Sequence, residues 1–272
     1  MTYRSICKIY DSFVNKRTRD TLLLFLSTAI ILGTIGYSKF TFLGSPDSME
    51  YAAIARELNR GNGFSTKQIY TLSLHFEPSY LGHPTLLRPP VYPLLVAAGQ
   101  RIFGMIGVSS VAVNLFAFSI IPVAIYRIGL YLYDRQVALV SGILMLFNIY
   151  LFRWSLNGLT EPVYTLLFVL LIWQLIHRNY IRVGFLLGLS YLTHYSTLFL
   201  TPGILLFVVL TEDDFRNTIK NIMMIFVVAE FIVFPWQVRN FLITGNPFFH
   251  LQRYELIMFT QTYPGYSLYH QL

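Results

Sequence analysis

The sequence predicts an all-α polytopic membrane protein with about seven transmembrane helices. Charged residues make up 12% of the 272 residues, roughly half of the ~25% that soluble domains carry. Hydrophobic residues make up 55%, and the mean hydropathy is +0.55. Several charge-free runs approach the ~20 apolar residues that a membrane helix needs. This composition excludes a disordered chain and an ordinary soluble enzyme.

The apolar runs set the predicted spans. The first, 21–40, follows a basic N-terminal segment and has no small-residue cleavage site after it, so it is predicted to be an uncleaved signal anchor. A charge-free run at 183–210 is too long for one span and predicts a hairpin of two short helices that turns near 193–196. The other predicted spans are 106–130, 136–152, 162–176 and 221–236.

The basic residues give the orientation. With the N-terminus in the cytoplasm, the loops that carry Arg127, Arg135, Arg178 and Arg182 all fall inside, as the positive-inside rule requires. The net charge of +7 therefore reflects cytoplasmic loops, and the absence of a Lys/Arg-rich block excludes nucleic acid as a partner. The expected location is the plasma membrane of a prokaryote.

The long first outer loop, 41–105, is the most informative segment. Its first part predicts a short amphipathic helix with Asp47 or Ser48 as N-cap and Gly61 at its end. A carboxylate at the mouth of a membrane cavity can also act as a general base, so Asp47 has two readings, a helix cap or a base. Residues 90–103 are apolar but short, and they predict an interfacial or re-entrant helix.

The motif RPPVYP at 88–93 leads into that second helix. Its prolines impose an extended entry, and Arg88 stands at the interface. The guanidinium fork suits a pair of phosphate oxygens. Anchoring to lipid headgroups is the alternative role.

Together these segments resemble the GT-C glycosyltransferases, in particular the bacterial and archaeal branch related to the dolichyl-phosphate-mannose-protein mannosyltransferases. The resemblance rests on Asp47 with YAAIARELNRGNGFS, on RPPVYPLL, on GLTEP at 158–162, and on GLSYLTHYSTLFLTPG and PWQVRNFLITGNPF further along. It covers about 40–248. It divides the chain into a GT-C-like catalytic region, 1–248, and an outer tail, 249–272, expected to begin a missing C-terminal region.

The resemblance implies transfer of a sugar, with inversion, from a polyprenyl-phosphate donor to a hydroxyl or amine on the outer face. The acceptor would be a glycan, a lipid or a protein, and membrane lipid is a further partner. Asp47 would be the base, with Glu50 as a second candidate because Ser48 stands where the family often has a second acid. Arg88, Arg239 and His194 would meet the donor phosphate.

Three further residues are expected to line the cavity: Glu161 at a helix start, Tyr92 in the proline motif, and Glu230 in mid-span. A mid-span acid usually faces a cavity or a partner. No cluster has metal-site spacing and no cofactor is expected, although a divalent ion between phosphate and carboxylate stays open. The rival hypotheses are a transporter, an assembly subunit and an inactive truncated relative. The sequence names neither the sugar nor the acceptor.

Overall fold

A computed structural model describes residues 3–67, 82–104 and 107–251, with side chains from Arg17 onward. It confirms the all-α prediction. In the described residues the only strands are β1 (Ser65–Thr66) and β2 (His83–Pro84), which pair antiparallel with Ser65 opposite Pro84. In chain order the described α-helices are α1 (Tyr3–Lys39), α2 (Pro46–Asn59), α3 (Val91–Phe103), α4 (Gly107–Leu132), α5 (Arg135–Leu146), α6 (Ile149–Leu156), α7 (Glu161–Ile176), α8 (Tyr180–Tyr191), α9 (Thr201–Thr211) and α10 (Phe215–Thr244).

Three of these helical segments are long and apolar enough to cross a membrane: Arg17–Lys39, Gly107–Leu132 and Phe215–Thr244. A fourth crossing is possible if α5 and α6 form one span, although they meet at 47°. The span predicted over 136–152 thus corresponds to this bent pair of helices. The helix breaks at Phe147 and Asn148, and the Asn148 side chain accepts a bond from the Leu151 N–H at 3.0 Å to start a new helix. The total of seven spans stays a prediction.

The break predicted near 193–196 is confirmed, and the hairpin of two spans in 183–210 stays a prediction. Helix α8 ends at Tyr191, and a 3-10 helix, Tyr195–Leu200, leads into α9. The last helix is longer than predicted, because it continues through Pro235 to Thr244 before Gly245 ends it with a positive φ of 75°. This extension places Arg239, which lies beyond the predicted span 221–236, on the helix.

Helix α4 lies at the centre of the bundle. Its buried Phe118 and Ile121 pack with Leu32 of α1 and Leu151 of α6. A second group of helices, α7 to α10, shares a core that includes Leu171, Val183, Val208 and Ile225. Helix α10 packs closely on α8, because Gly184 and Gly188 leave room for it. A Cβ at Gly184 would stand 2.6 Å from the Ile225 carbonyl oxygen.

The outer loop begins with α2, and its N-terminus differs from the prediction. Ser45, with an extended backbone, is the N-cap residue, and Pro46 is the first helical residue. The prediction that Asp47 or Ser48 caps the helix is therefore wrong, since both lie inside the first turn. Proline is favoured at this position because its fixed φ suits the helix and it lacks an N–H that would need a partner. The Asp47 carboxylate is thus available for other contacts.

The turn after α2 is fixed by a buried acid. The Glu57 side chain accepts hydrogen bonds from Asn62 at 2.6 Å and from Arg60 at 3.1 Å. The bond from Asn62 and the nearby Lys67 and Arg60 lower the pKa of Glu57 against the opposing effect of burial. Glu57 therefore stays charged and holds the turn that leads from α2 into β1.

Several helix ends gather around α2. A Cβ at Gly158, just before α7, would lie 3.4 Å from the Ser48 Cβ. A Cβ at Gly107, the first residue of α4, would lie 3.0 Å from Leu43. We call the end of the molecule at which these segments meet the α2 side.

Candidate functional site

Arg88 joins the two carboxylates of α2. Its Nε donates to Glu50 Oε2 at 2.5 Å, and its Nη2 donates to Asp47 Oδ1 at 2.5 Å. Asp47 and Glu50 are three residues apart and lie on the same side of the helix, so one planar guanidinium reaches both. The Arg88 guanidinium also lies 5.1 Å from the ring centroid of Tyr51. The structure thus brings together three of the residues that the sequence singled out.

The two carboxylates differ sharply in exposure. The Glu50 side chain is 1% exposed and that of Arg88 is 7% exposed, whereas that of Asp47 is 46% exposed. A solute approaching from the α2 side can therefore contact Asp47 but not Glu50. Burial acts to lower the pKa of Arg88, but Tyr51, Glu50 and Asp47 outweigh it and raise that pKa. Arg88 is therefore a permanent cation within the group.

Buried polar side chains lie beside this group. Tyr92 on α3 and Asn114 on α4 interact through their side chains, and Glu161 Oε2 on α7 has no hydrogen-bond partner within the described chain. Tyr92 is within electrostatic range of Glu161 and Tyr51, and Glu161 is within electrostatic range of Asp47. An unsatisfied buried polar group costs about 1–3 kcal/mol. The buried Glu161 oxygen within range of Asp47 therefore indicates a place that receives a polar atom from a ligand or from water.

The Asn114 side chain is held in place through its amide nitrogen. Its Nδ2 donates to the Leu159 carbonyl oxygen at 2.8 Å, in the loop just before Glu161. This bond ties α4 to the start of α7 and leaves Oδ1 directed elsewhere. Asn114 and Tyr51 are site residues that the sequence reasoning missed. A single polar amide within the predicted span 106–130 was the available signal for Asn114.

Arg239 lies on the same side of the molecule. Its guanidinium packs over the rings of Trp236, at 4.5 Å from the ring centroid, and Phe64, at 5.4 Å. Its Nη2 donates to the Phe64 carbonyl oxygen at 2.9 Å, which links α10 to the turn after α2. The Trp236 Nε1 donates to the Tyr195 hydroxyl at 3.0 Å, and Tyr195 is within electrostatic range of both Arg239 and Tyr51.

His194 and Glu230 occupy different surroundings. His194 precedes the 3-10 helix; its Nδ1 is 2.6 Å from the Ser196 hydroxyl, and its ring packs on Tyr164 of α7 at 5.3 Å between centroids. Glu230 is exposed on α10 and lines a separate, largely apolar cleft of 220 Å³ between α8, α9 and α10. No contact between Glu230 and Asp47 or Arg88 appears among the described residues.

No group of three or more His, Cys, Asp and Glu side chains that could hold a metal ion occurs in the described ranges. The chemistry at hand is a half-exposed carboxylate, an arginine that orients it, and buried polar oxygens. These groups stand at one end of a bundle of apolar helices.

These features are those of an all-α membrane protein with a carboxylate site at one end of its helices, which agrees with the predicted GT-C class. The family model for dolichyl-phosphate-mannose-protein mannosyltransferase matches residues 87–237, which is more than half of the chain. The chain belongs to this family, and it is an integral membrane glycosyltransferase of the GT-C type. No curated protein and no solved structure matches it. The matched region includes Arg88, Tyr92 and Glu161 and begins after Asp47 and Glu50.

Proposed function

We propose that the protein transfers a sugar from a polyprenyl-phosphate donor to an acceptor hydroxyl or amine on the outer face of the membrane, with inversion and with Asp47 as the base. The observation that carries this proposal is the half-exposed Asp47 carboxylate, held by Arg88 and within electrostatic range of the buried Glu161. The family supports the reaction type. We also propose that the N-terminus lies in the cytoplasm, as the positive-inside rule predicts.

The reaction needs one base and one stabilised leaving group. The acceptor oxygen or nitrogen attacks the anomeric carbon while its proton passes to the Asp47 carboxylate. The bond between that carbon and the phosphate oxygen breaks, and the polyprenyl phosphate leaves with the electron pair. Attack from the side opposite to the phosphate inverts the configuration. A positioned base of this kind contributes about 10²–10⁴-fold to the rate.

Exposure assigns different roles to the two acids. Asp47 can reach an acceptor because nearly half of its side chain is accessible, whereas Glu50 is enclosed. Glu50 fixes Arg88, and Arg88 fixes one oxygen of Asp47. We therefore give Asp47 the catalytic role and give Glu50 and Arg88 positioning roles. Both carboxylates already contact Arg88, so the three groups together carry one negative charge and suit a base better than a phosphate ligand.

The donor phosphate is assigned to Arg239, with His194 as a second contact. Arg239 packs over the Trp236 ring and donates to the Phe64 carbonyl oxygen, so its positive charge has a defined place at the α2 side. A preorganised cation of this kind stabilises the charge that develops on a leaving phosphate. The polyprenyl tail would then lie against the apolar surface of the helices.

We assign the buried polar groups of Tyr92, Asn114 and Glu161 to the binding of hydroxyl groups of the sugar or the acceptor. A hydroxyl can both donate and accept, so it can satisfy a carboxylate, an amide oxygen and a phenol. A substrate that lacks the matching hydroxyl would leave the Glu161 oxygen unpaired and would therefore be a poorer substrate.

The experiment is transfer from a polyprenyl-phosphate sugar in reconstituted membranes, comparing the parent protein with Asp47→Asn. The amide keeps the shape of the side chain and can still accept a bond from Arg88, but it cannot take the proton. We expect the rate to fall at least 100-fold while donor binding is retained. Asp213→Asn, at an exposed position in the loop before α10, is the matched control and should keep full activity. Undiminished transfer by Asp47→Asn would show that Asp47 is not the base.

A further inference from the structure

A polar cleft opens on the α2 side, and none of its lining residues belongs to the group formed by Asp47, Glu50 and Arg88. It has a volume of 180 Å³ and lies between the C-terminal ends of α1 and α6. Lys39 and Arg153 both line it, together with Thr41 and Asn157. We call it the α1–α6 cleft. Within the described chain neither cation has a carboxylate at ion-pair distance; the ion pairs of the described residues all involve other basic side chains.

Aromatic side chains place this cleft at the surface of the membrane. Tyr37 is 91% exposed, and Phe42, Tyr150 and Trp154 around the cleft also present exposed rings. Exposed aromatic side chains at the end of membrane helices mark the level of the lipid headgroups. Lys39 and Arg153 therefore stand where the phosphates of the lipids lie.

The positive charge of the cleft exceeds what helix capping requires. Each cation stands in the last turn of a helix, where it complements the exposed carbonyl groups. Helix capping does not require that both cations line the same cleft. Two cations in one cleft repel each other unless an anion lies between them. The arginine fork and the lysine ammonium are both suited to phosphate oxygens. Thr41 and Asn157 add polar groups to the same walls.

We propose that the α1–α6 cleft binds the phosphate of an anionic membrane lipid. The headgroup phosphate would lie between Lys39 and Arg153, and the acyl chains would lie along the exposed apolar faces of α1 and α6. This site is distinct from the proposed catalytic group and does not depend on the proposed sugar transfer.

The cleft is next to the segment that carries the candidate base. Residues 40–45 run from its wall directly into α2, and Leu43 lies 2.8 Å from the place that a Cβ at Gly158 would take. Gly158 follows Asn157 of the cleft and lies against Ser48, the neighbour of Asp47. A lipid held in the cleft would therefore brace both segments that position the start of α2.

The test is lipid binding by the full chain in detergent, measured by native mass spectrometry with phosphatidylglycerol as the anionic probe and phosphatidylcholine as the zwitterionic one. In Lys39→Gln/Arg153→Gln we expect binding of phosphatidylglycerol to weaken about 25-fold, since each cation near an anionic headgroup contributes roughly a factor of five. Phosphatidylcholine should bind equally to both proteins. Inorganic phosphate at the same concentration should not displace phosphatidylglycerol.

The matched control is Arg127→Gln/Lys220→Gln, which removes two exposed cations elsewhere on the helices and should leave phosphatidylglycerol binding unchanged. Lys39→Arg/Arg153→Lys keeps the charge and should keep the binding, which separates the site from a folding defect. Unchanged affinity in the Lys39→Gln/Arg153→Gln protein, or an equal loss in the control, would overturn the proposal. Displacement by free phosphate would show that the cleft takes inorganic phosphate and not a lipid.

Discussion

Removing the Glu50 carboxylate should destabilise the protein far more than removing the Asp47 carboxylate. Both acids bind Arg88 at 2.5 Å, so distance alone predicts equal effects. Their surroundings differ, because the Glu50 side chain is 1% exposed and the Asp47 side chain is 46% exposed. The variants to compare are Glu50→Ala and Asp47→Ala, by their free energies of unfolding.

The magnitude follows from burial. Breaking a buried ion pair by removing one partner costs about 3–5 kcal/mol, because the other charge is left in a poorly solvated place. An exposed pair is worth about 0–1 kcal/mol. We therefore expect Glu50→Ala to lower the free energy of unfolding by about 3 kcal/mol or more, and Asp47→Ala by less than about 1 kcal/mol. Asp47 at 46% exposure is close to the exposed case.

Unfolding in mixed micelles, followed by tryptophan fluorescence, measures both variants. The double variant Glu50→Leu/Arg88→Met removes both buried charges and should be more stable than either Glu50→Leu or Arg88→Met alone, which the double-mutant cycle of these three variants would register as strong coupling. Equal losses for Glu50→Ala and Asp47→Ala would refute the reasoning. So would a double variant as unstable as the sum of its single changes.

Two further predictions concern packing and pH. Gly184→Ala should cost about 1–3 kcal/mol in the same unfolding assay, because its Cβ would stand 2.6 Å from the Ile225 carbonyl oxygen; Gly33→Ala, with nothing within 4 Å, should be nearly neutral. Burial lowers the pKa of His250 from 6.5 to about 4, so between these values only the unfolded state takes up the proton. Stability should therefore fall by about 3 kcal/mol as the pH drops from 6.5 to 4, and His250→Gln should remove this dependence.

The neutral state of His250 is supported by its contacts as well as by its burial. Its Nε2 lies 2.6 Å from the Tyr191 hydroxyl, and its Nδ1 lies 3.1 Å from the Asn240 Nδ2. These bonds tie the segment after α10 to α8 and α10. A pH dependence that survives His250→Gln would assign the transition to another group.

The break within 136–152 shows where sequence periodicity stops being informative. The run is apolar enough for one span, and hydropathy alone does not register that Asn148 can start a new helix there. The same holds for Asp47, whose type suits an N-cap. The helix begins at Pro46 instead, since proline at the first position leaves Ser45 as the cap. Where two helix starts have similar local free energies, the packing of neighbouring segments decides which one forms.

The sequence by itself determined the membrane class, the order of the main helices, the break near 193–196 and the family. It could do so because hydropathy, charge and proline or glycine placement act locally along the chain. Only the tertiary structure decided which acid is buried, that Arg88 binds both Asp47 and Glu50, and that Tyr92, Asn114 and Glu161 share one region. These features depend on contacts between residues far apart in the sequence, such as the 38 and 41 positions that separate Arg88 from Glu50 and Asp47. The type of a side chain also does not determine how much of it is exposed to water.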